Sequence, residues 1–197
     1  GTPFAQDAEP EYVAVSADSR TAYVTLQENN AIATLDLASL KFTSVRSLGF
    51  KDHSLPGNEL DASDKDGTLN LSNWPVLGMY MPDGADTFVS GGKTYLITAN
   101  EGDTRDYEAF SEESRVGDVK DNVSLKAEHY KGYTQAELDA LVAGGLFEDE
   151  QLGRLLMTTT MGQNAEGQYE AIYTIGSRSF SIWDASDMTQ VYDSGSE

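Results

Sequence analysis

Cysteine is absent from the 197-residue chain, which excludes disulfides, thiol catalysis and cysteine-ligated zinc. Basic side chains are scarce: 13 Lys and Arg stand against 33 Asp and Glu, a formal net charge of −20. So few cations cannot displace the counterions of a phosphate backbone, so no nucleic-acid partner is expected, and an anionic membrane surface is disfavoured for the same reason. No run approaches the ~20 apolar residues of a membrane-crossing helix, so direct membrane insertion is not expected either. Histidine occurs only at His53 and His129, without the spacing of a metal-binding pair. Both read as structural or surface residues, His53 beside Asp52 being the nearer to an exception. A serine–histidine hydrolase lacks its G-x-S-x-G elbow, since Gly176-Ser177-Arg178-Ser179 does not supply one. The chain opens Gly1-Thr2-Pro3 with no visible leader, and any targeting segment is expected to lie outside it.

What is present favours strands. Ten tyrosines, two tryptophans and frequent Thr and Val suit a pleated, half-buried surface. Tyr12–Ser16, Thr21–Gln27, Ala31–Leu37 and Lys41–Leu48 read as four short strands. Turns rich in Asp, Ser and Asn join the first three. Four such antiparallel strands make one blade of a β-propeller. The pattern recurs: Lys93–Glu101 matches Arg20–Glu28, and a third copy runs Ile172–Ile175, Gly176–Arg178, then Ser179–Asp184. Thr25, Thr98 and Thr174 correspond. Their separations exceed the ~40–45 residues of a plain blade, so each interval must hold an insertion. The first, 51–75, is Asp-rich. The second, 106–156, carries a helical signal: Thr134 with Glu137 has capping-box spacing, Leu138, Leu141 and Val142 follow at i, i+3 and i+4, and Gly144-Gly145 ends the run. Phe147–Leu156 is a candidate second helix. Trp74 and Trp183 read as packing anchors. The expected fold is all-β: a single domain over 1–197, a β-propeller segment of about three four-stranded blade units with a small helical insertion. Three units cannot close a ring, so the sequence is expected to belong to a longer chain or to self-associate through open blade edges.

Two loops are candidate sites. Asp61, Asp64 and Asp66 precede Gly67, and alternating acids before a glycine turn supply the oxygen ligands that Ca2+ prefers. The spacing departs from the EF-type loop, so a solvated Asp/Gly turn is the other reading. In Asn100–Asp106, Glu101 and Asp103 can hold a divalent cation and Arg105 can grip a carboxylate or phosphate; a turn closed by a local ion pair is the alternative. Arg178 follows a repeat strand and either lines a central channel or pairs with a neighbouring Asp. The acidic run 106–121 reads as a solvated face.

Longer stretches carry a resemblance. Glu9–Ser16 with Thr21–Ala31 is similar to the YVTN-type propeller repeat. Gly49–Ser54 with Asp61–Gly67, Thr98–Asp103 with Arg105, and Ser177–Asp184 narrow it further. Together they resemble the choice-of-anchor I family of secreted or cell-surface bacterial propellers, often labelled alkaline phosphatase-like. The resemblance implies a propeller, export, and attachment or secretion. It does not by itself name an activity. Met161–Gln168 departs from the family's Asp/Gly-rich loop in having one acid, which speaks against a metal there. The expected function is therefore an extracellular module that binds calcium and presents loops to a ligand or protein. One alternative is part of a metal-dependent phosphomonoesterase in which Glu101, Asp103 and Asp64 hold Ca2+ and Arg105 or Arg178 clamps the phosphate. The other is a structural acidic surface protein.

Overall fold

A computed structural model describes residues 7–197 of the protein. The first repeat forms as its sequence predicts. Strands β1 (Pro10–Val15), β2 (Thr21–Leu26), β3 (Ala31–Asp36) and β4 (Lys41–Ser47) make an antiparallel sheet in sequence order. Its turns are closed by short polar side chains. Asp18 Oδ1 accepts from Ser16 Oγ (2.7 Å) and Arg20 N (3.1 Å), and Asp36 Oδ1 accepts from Ser39 N and Oγ (both 2.6 Å). These local bonds give the backbone a partner where strand pairing stops.

Strands β5 (Phe50–Asp52), β6 (Leu60–Asp61), β7 (Leu71–Ser72) and β8 (Leu77–Met79) follow, then β9 (Ala85–Ser90) and β10 (Lys93–Asn100). After β10 the chain leaves on a long excursion holding β11 (Asp106–Tyr107), β12 (Phe110–Ser111), β13 (Glu113–Arg115), helix α1 (Gln135–Ala143), β14 (Leu156–Thr158) and β15 (Tyr173–Thr174). It returns as β16 (Ser179–Asp184) and β17 (Thr189–Asp193), and the second four-stranded sheet is β9-β10-β16-β17. This corrects the expected third unit. Ser179–Asp184 is the third strand of the second sheet. Tyr173–Thr174 pairs with β14 and, in parallel, with β8 in a different sheet. Thr189–Asp193 completes the second sheet, so four-stranded sheets number two among the described residues.

The two sheets are built alike. Asp36 pairs with Thr21, and Asp184 with Tyr95. The residues four beyond each Asp, Leu40 and Met188, both have left-handed backbones, φ 56° and 61°. A bulge interrupts pairing between Thr34 and Leu35 and, at the equivalent place, between Ile182 and Trp183. The structural counterpart of Thr21 is therefore Tyr95, one residue beyond the counterpart that residue identity suggests. A one-residue slip reverses which face each side chain occupies. The faces agree: Tyr23 and Leu96 meet in one core with Ile32, Tyr80 and Trp183, between the stacked sheets. Trp183 is 1% exposed and donates Nε1–H to Thr98 Oγ1 (2.9 Å).

The excursion shares a second core with the earlier segment 60–77. Strands β13-β14-β15-β8-β5 form a mixed sheet, and Val116, Leu138, Leu152, Met157 and Ile172 are wholly buried against it. Helix α1 starts where expected: Glu137 N donates to Thr134 Oγ1 (3.4 Å), and Thr134 N donates to the Glu137 carboxylate (2.8 Å). Gly144 caps its end and Gly145 follows at φ 91°. The candidate second helix at 147–156 is instead a run of turns. Glu148 O accepts from both Gln151 N and Gly153 N, and Leu152 N donates to Leu146 O, so no i→i−4 ladder forms although Leu152 and Leu155 are buried.

A buried ion pair ties the excursion's sheet to the second four-stranded sheet. Lys51 on β5, 3% exposed, donates to Asp193 Oδ1 on β17 (2.9 Å) and to Gly195 O (2.7 Å). Ser179 and Ser181 hydroxyls donate to the other oxygen of Asp193 (2.8 and 2.6 Å). Asn100 Nδ2 donates to both hydroxyls in turn (3.1 and 2.7 Å).

Candidate functional site

Where β10 ends, its backbone crosses the segment leading from β15 to β16. A Cβ at Gly102 would lie 2.3 Å from Gly176 N, and one at Gly176 would lie 1.9 Å from Glu101 O. Only glycine permits this approach. It sets Glu101 beside Thr174, Ile175 and Arg178. The Asp-rich loop between β6 and β7, with Arg115 and Arg154, completes the lining. The result is a cleft of about 910 Å3.

The cleft gathers most of the residues that the sequence singles out: Asp61, Asp64, Asp66, Glu101 and Arg178 all line it. Asp103 and Arg105 do not. Asp103 is exposed and accepts from the neighbouring Thr104 N (2.7 Å). Arg105, its side chain 10% exposed, is committed elsewhere. Its Nε donates to Asp7 Oδ1 (2.9 Å), Nη2 to Asp7 O (2.9 Å) and Nη1 to Glu28 O (3.3 Å), with Glu9 and Glu112 each at 3.5 Å. A guanidinium so occupied holds the N-terminal segment to β10's exit, with three of its five N–H donors committed there.

The acids play different parts. Asp64 takes a two-point contact from Arg154, Nε to Oδ1 at 2.9 Å and Nη2 to Oδ2 at 3.4 Å. This hydrogen-bonded guanidinium holds the Asp64 carboxyl below its ordinary range. Asp66 accepts from Thr68 N (3.2 Å) and so shapes its own turn. Asp61 Oδ1 is buried and has no hydrogen-bond partner among the described residues. The three carboxylates do not converge as a calcium loop's would. Among the described residues, the group of three ligand-bearing side chains with ligand atoms within 4.8 Å of one another is Glu128, His129 and Glu170, outside the cleft.

Arg115 and Arg154 are the feature that sequence reading misses. Arg115 stands within a run that reads as a solvated face, and no local pattern singles out Arg154. Three of the chain's six arginines line this one cleft. Arg115 donates Nη1 to Arg154 O, and Arg178 donates Nη1 to Asp61 O (3.0 Å). Among the described residues neither forms an ion pair with a carboxylate, although acids outnumber bases 33 to 13. Arg178 is presented by a left-handed backbone, φ 52°, an uncommon conformation for a long side chain. The signal present in the sequence is scarcity: in so acidic a chain, each unpaired arginine is informative.

A protein-family model described as the choice-of-anchor I domain matches residues 1–197. The chain belongs to the choice-of-anchor I family. The match spans both four-stranded sheets and the whole excursion, so the cleft is built from residues within the family domain. Membership points to a secreted or cell-surface bacterial protein, and among the described residues no helix is long and apolar enough to cross a membrane. Comparison with curated proteins and with solved structures returned no match.

Proposed function

We propose that this choice-of-anchor I domain is a ligand-binding module of the cell surface whose cleft takes an anionic group, a phosphate or a carboxylate. The supporting observation is the pair Arg115 and Arg178, which line the cleft without a carboxylate partner among the described residues. A guanidinium presents a planar fork that matches either anion. In this reading the two four-stranded sheets are neighbouring blades of a β-propeller and the excursion from β10 to β16 is the insertion that roofs the site. The domain's own charge repels anions at long range, so selectivity comes from local donors and not from steering.

Calcium is a second component. The unpartnered Asp61 oxygen, with Glu101 in the lining of the same cleft, favours a cation that bridges protein carboxylates to the bound anion. The phosphomonoesterase reading shares these groups and adds turnover. The structural reading predicts no ligand at all.

Calorimetric titration with inorganic phosphate, with and without CaCl2, tests the proposal. Arg178→Gln and Arg115→Gln should each weaken binding by about tenfold, the loss of one charge-assisted contact. Arg46→Gln, on exposed β4, should not. Absence of saturable heat, or equal binding by all variants, overturns the proposal. Hydrolysis of an aryl phosphate would favour the esterase form.

A further inference from the structure

The excursion holds a second cluster that the cleft does not use. Glu128 and His129 end the single 3-10 turn Ala127–His129, and Glu170 lies on the segment beside it. The two segments are fixed by backbone bonds: Ser124 N donates to Tyr169 O (2.8 Å), Lys126 N to Glu170 O (3.0 Å), and Glu170 N to Gly162 O (2.8 Å). One ring nitrogen of His129 and one carboxylate oxygen from each glutamate lie within 4.8 Å of one another. Asn164 Nδ2 donates to Glu170 Oε1 (3.1 Å), and Asn164 is itself held by Glu166 N (3.1 Å) and Gln168 N (2.9 Å).

An independent observation concerns His129. Its Nε2 is buried and has no hydrogen-bond partner among the described residues. A buried nitrogen left unpaired is costly, and two anionic side chains drawn together beside the same ring repel each other. A divalent cation resolves both. Calcium and magnesium select all-oxygen sets, whereas an imidazole nitrogen with carboxylate oxygens suits zinc and its transition-metal neighbours. We propose that Glu128, His129 and Glu170 form a binding site for a divalent transition-metal ion of the zinc class.

Zinc bonds of about 2.0–2.2 Å to N and O place ligands roughly 3.3–3.6 Å apart, so small rotamer shifts close the set. Three protein ligands leave a fourth position for water. Asn164 supplies the outer hydrogen bond that orients a ligating carboxylate. The loop Met161–Gln168, poor in acids, then serves the site by aiming Glu170 and not by ligating. The ion would pin the 3-10 turn to the 162–170 segment and so stiffen the roof of the domain.

The test is a titration of the chelator-stripped domain with ZnCl2 in excess MgCl2, read by calorimetry and by melting temperature. Co2+ in place of Zn2+ reports a four-coordinate protein site through the intensity of its ligand-field absorption, which the octahedral aqua ion lacks. One equivalent should bind and raise the melting temperature. His129→Ala and Glu170→Gln should each abolish the Co2+ band, and Asn164→Ala should weaken zinc by about tenfold. No zinc binding in excess Mg2+ overturns the proposal. So does binding that His129→Ala and Glu170→Gln both leave unchanged. If His129→Ala fails to fold, Glu170→Gln and the Co2+ spectrum of the unsubstituted domain decide the matter.

Discussion

Gly102 and Gly176 meet backbone to backbone at the point where the second four-stranded sheet gives way to the excursion, and a Cβ added to either would find main chain within 2.3 Å. The contact fixes how the excursion leaves and re-enters the sheet, and hence where Glu101 and Arg178 stand in the cleft. Gly102→Ala should cost about 3–5 kcal/mol, overpacking of about 2–3 added to the strain of a left-handed backbone at φ 96°, and should weaken any ligand of the cleft. Gly67 supplies the comparison. It also has a left-handed backbone, φ 71°, but nothing lies within 4 Å of its Cβ position, so Gly67→Ala should cost only about 1–2 kcal/mol. Urea unfolding of both variants checks the difference; equal losses would show that the close approach is unimportant.

The Lys51–Asp193 pair should behave as a buried pair whose disruption strands a charge. Asp193→Asn leaves the Lys51 ammonium enclosed, and removing one partner of such a pair costs about 3–5 kcal/mol. Burial pushes the Asp193 carboxyl up, but Lys51 and the Ser181, Gly195 and Ser179 donors outweigh burial and hold it below its ordinary value of 3.8. The resulting stabilisation is full above that value and is lost as pH falls below it. Replacing both residues, as Lys51→Met with Asp193→Leu, should recover part of the loss seen in Asp193→Asn. A double variant less stable than Asp193→Asn would contradict this.

His53 titrates in a separate window. The ring is 1% exposed, and its Nδ1–H donates to Asn58 O (2.7 Å), so the neutral tautomer carries its proton there. Burial, with a smaller push from Lys51, lowers its pKa from 6.5 to about 4 in spite of the Asn58 bond. As pH falls the unfolded chain binds the proton first. Stability is therefore full above 6.5, declines by about 3 kcal/mol between 6.5 and about 4, and then levels as far as this residue is concerned. His53→Gln should flatten the slope in that interval and leave the steeper acid loss below 3.8 in place. An unchanged slope in His53→Gln would assign the effect elsewhere.

Asp64 offers a gain of function. Its contact with Arg154 is solvent-exposed, the side chains being 61% and 29% accessible, so Asp64→Asn should leave the melting temperature nearly unchanged. It removes a negative charge from the cleft and frees the Arg154 fork. Affinity for inorganic phosphate should therefore rise several-fold. A fall in affinity, restored by calcium in the unsubstituted domain alone, would instead make Asp64 a metal ligand.

The first sheet is legible in the sequence because its four strands run consecutively, each turn marked by Asp, Ser or Asn. The second is legible only in halves. Its insertion falls between the second and third strands, so Tyr173–Thr174 stands next to Ser179–Asp184 in sequence and imitates a repeat that spatially does not exist. Matching Thr25 with Thr98 by identity also slips the register by one. Residue type is a weak guide to register beside the shared bulge and the left-handed Leu40 and Met188, which only coordinates reveal. At the site, the Asp-rich loop, Glu101 and Arg178 stand out from local pattern. Their meeting with Arg115 and Arg154 does not, because it depends on a glycine crossing between segments far apart in the chain. Arg105, which resembles a ligand group in the sequence, is consumed by Asp7, Glu9 and Glu112, partners that no local spacing announces.

The most direct test of the arginine cleft is an NMR titration of arginine Nε–Hε resonances with inorganic phosphate. The account predicts saturable shifts of Arg115 and Arg178, with Arg105 and the exposed Arg20 and Arg46 unmoved. Shifts that are absent, or that are linear and alike at all six arginines, would contradict it.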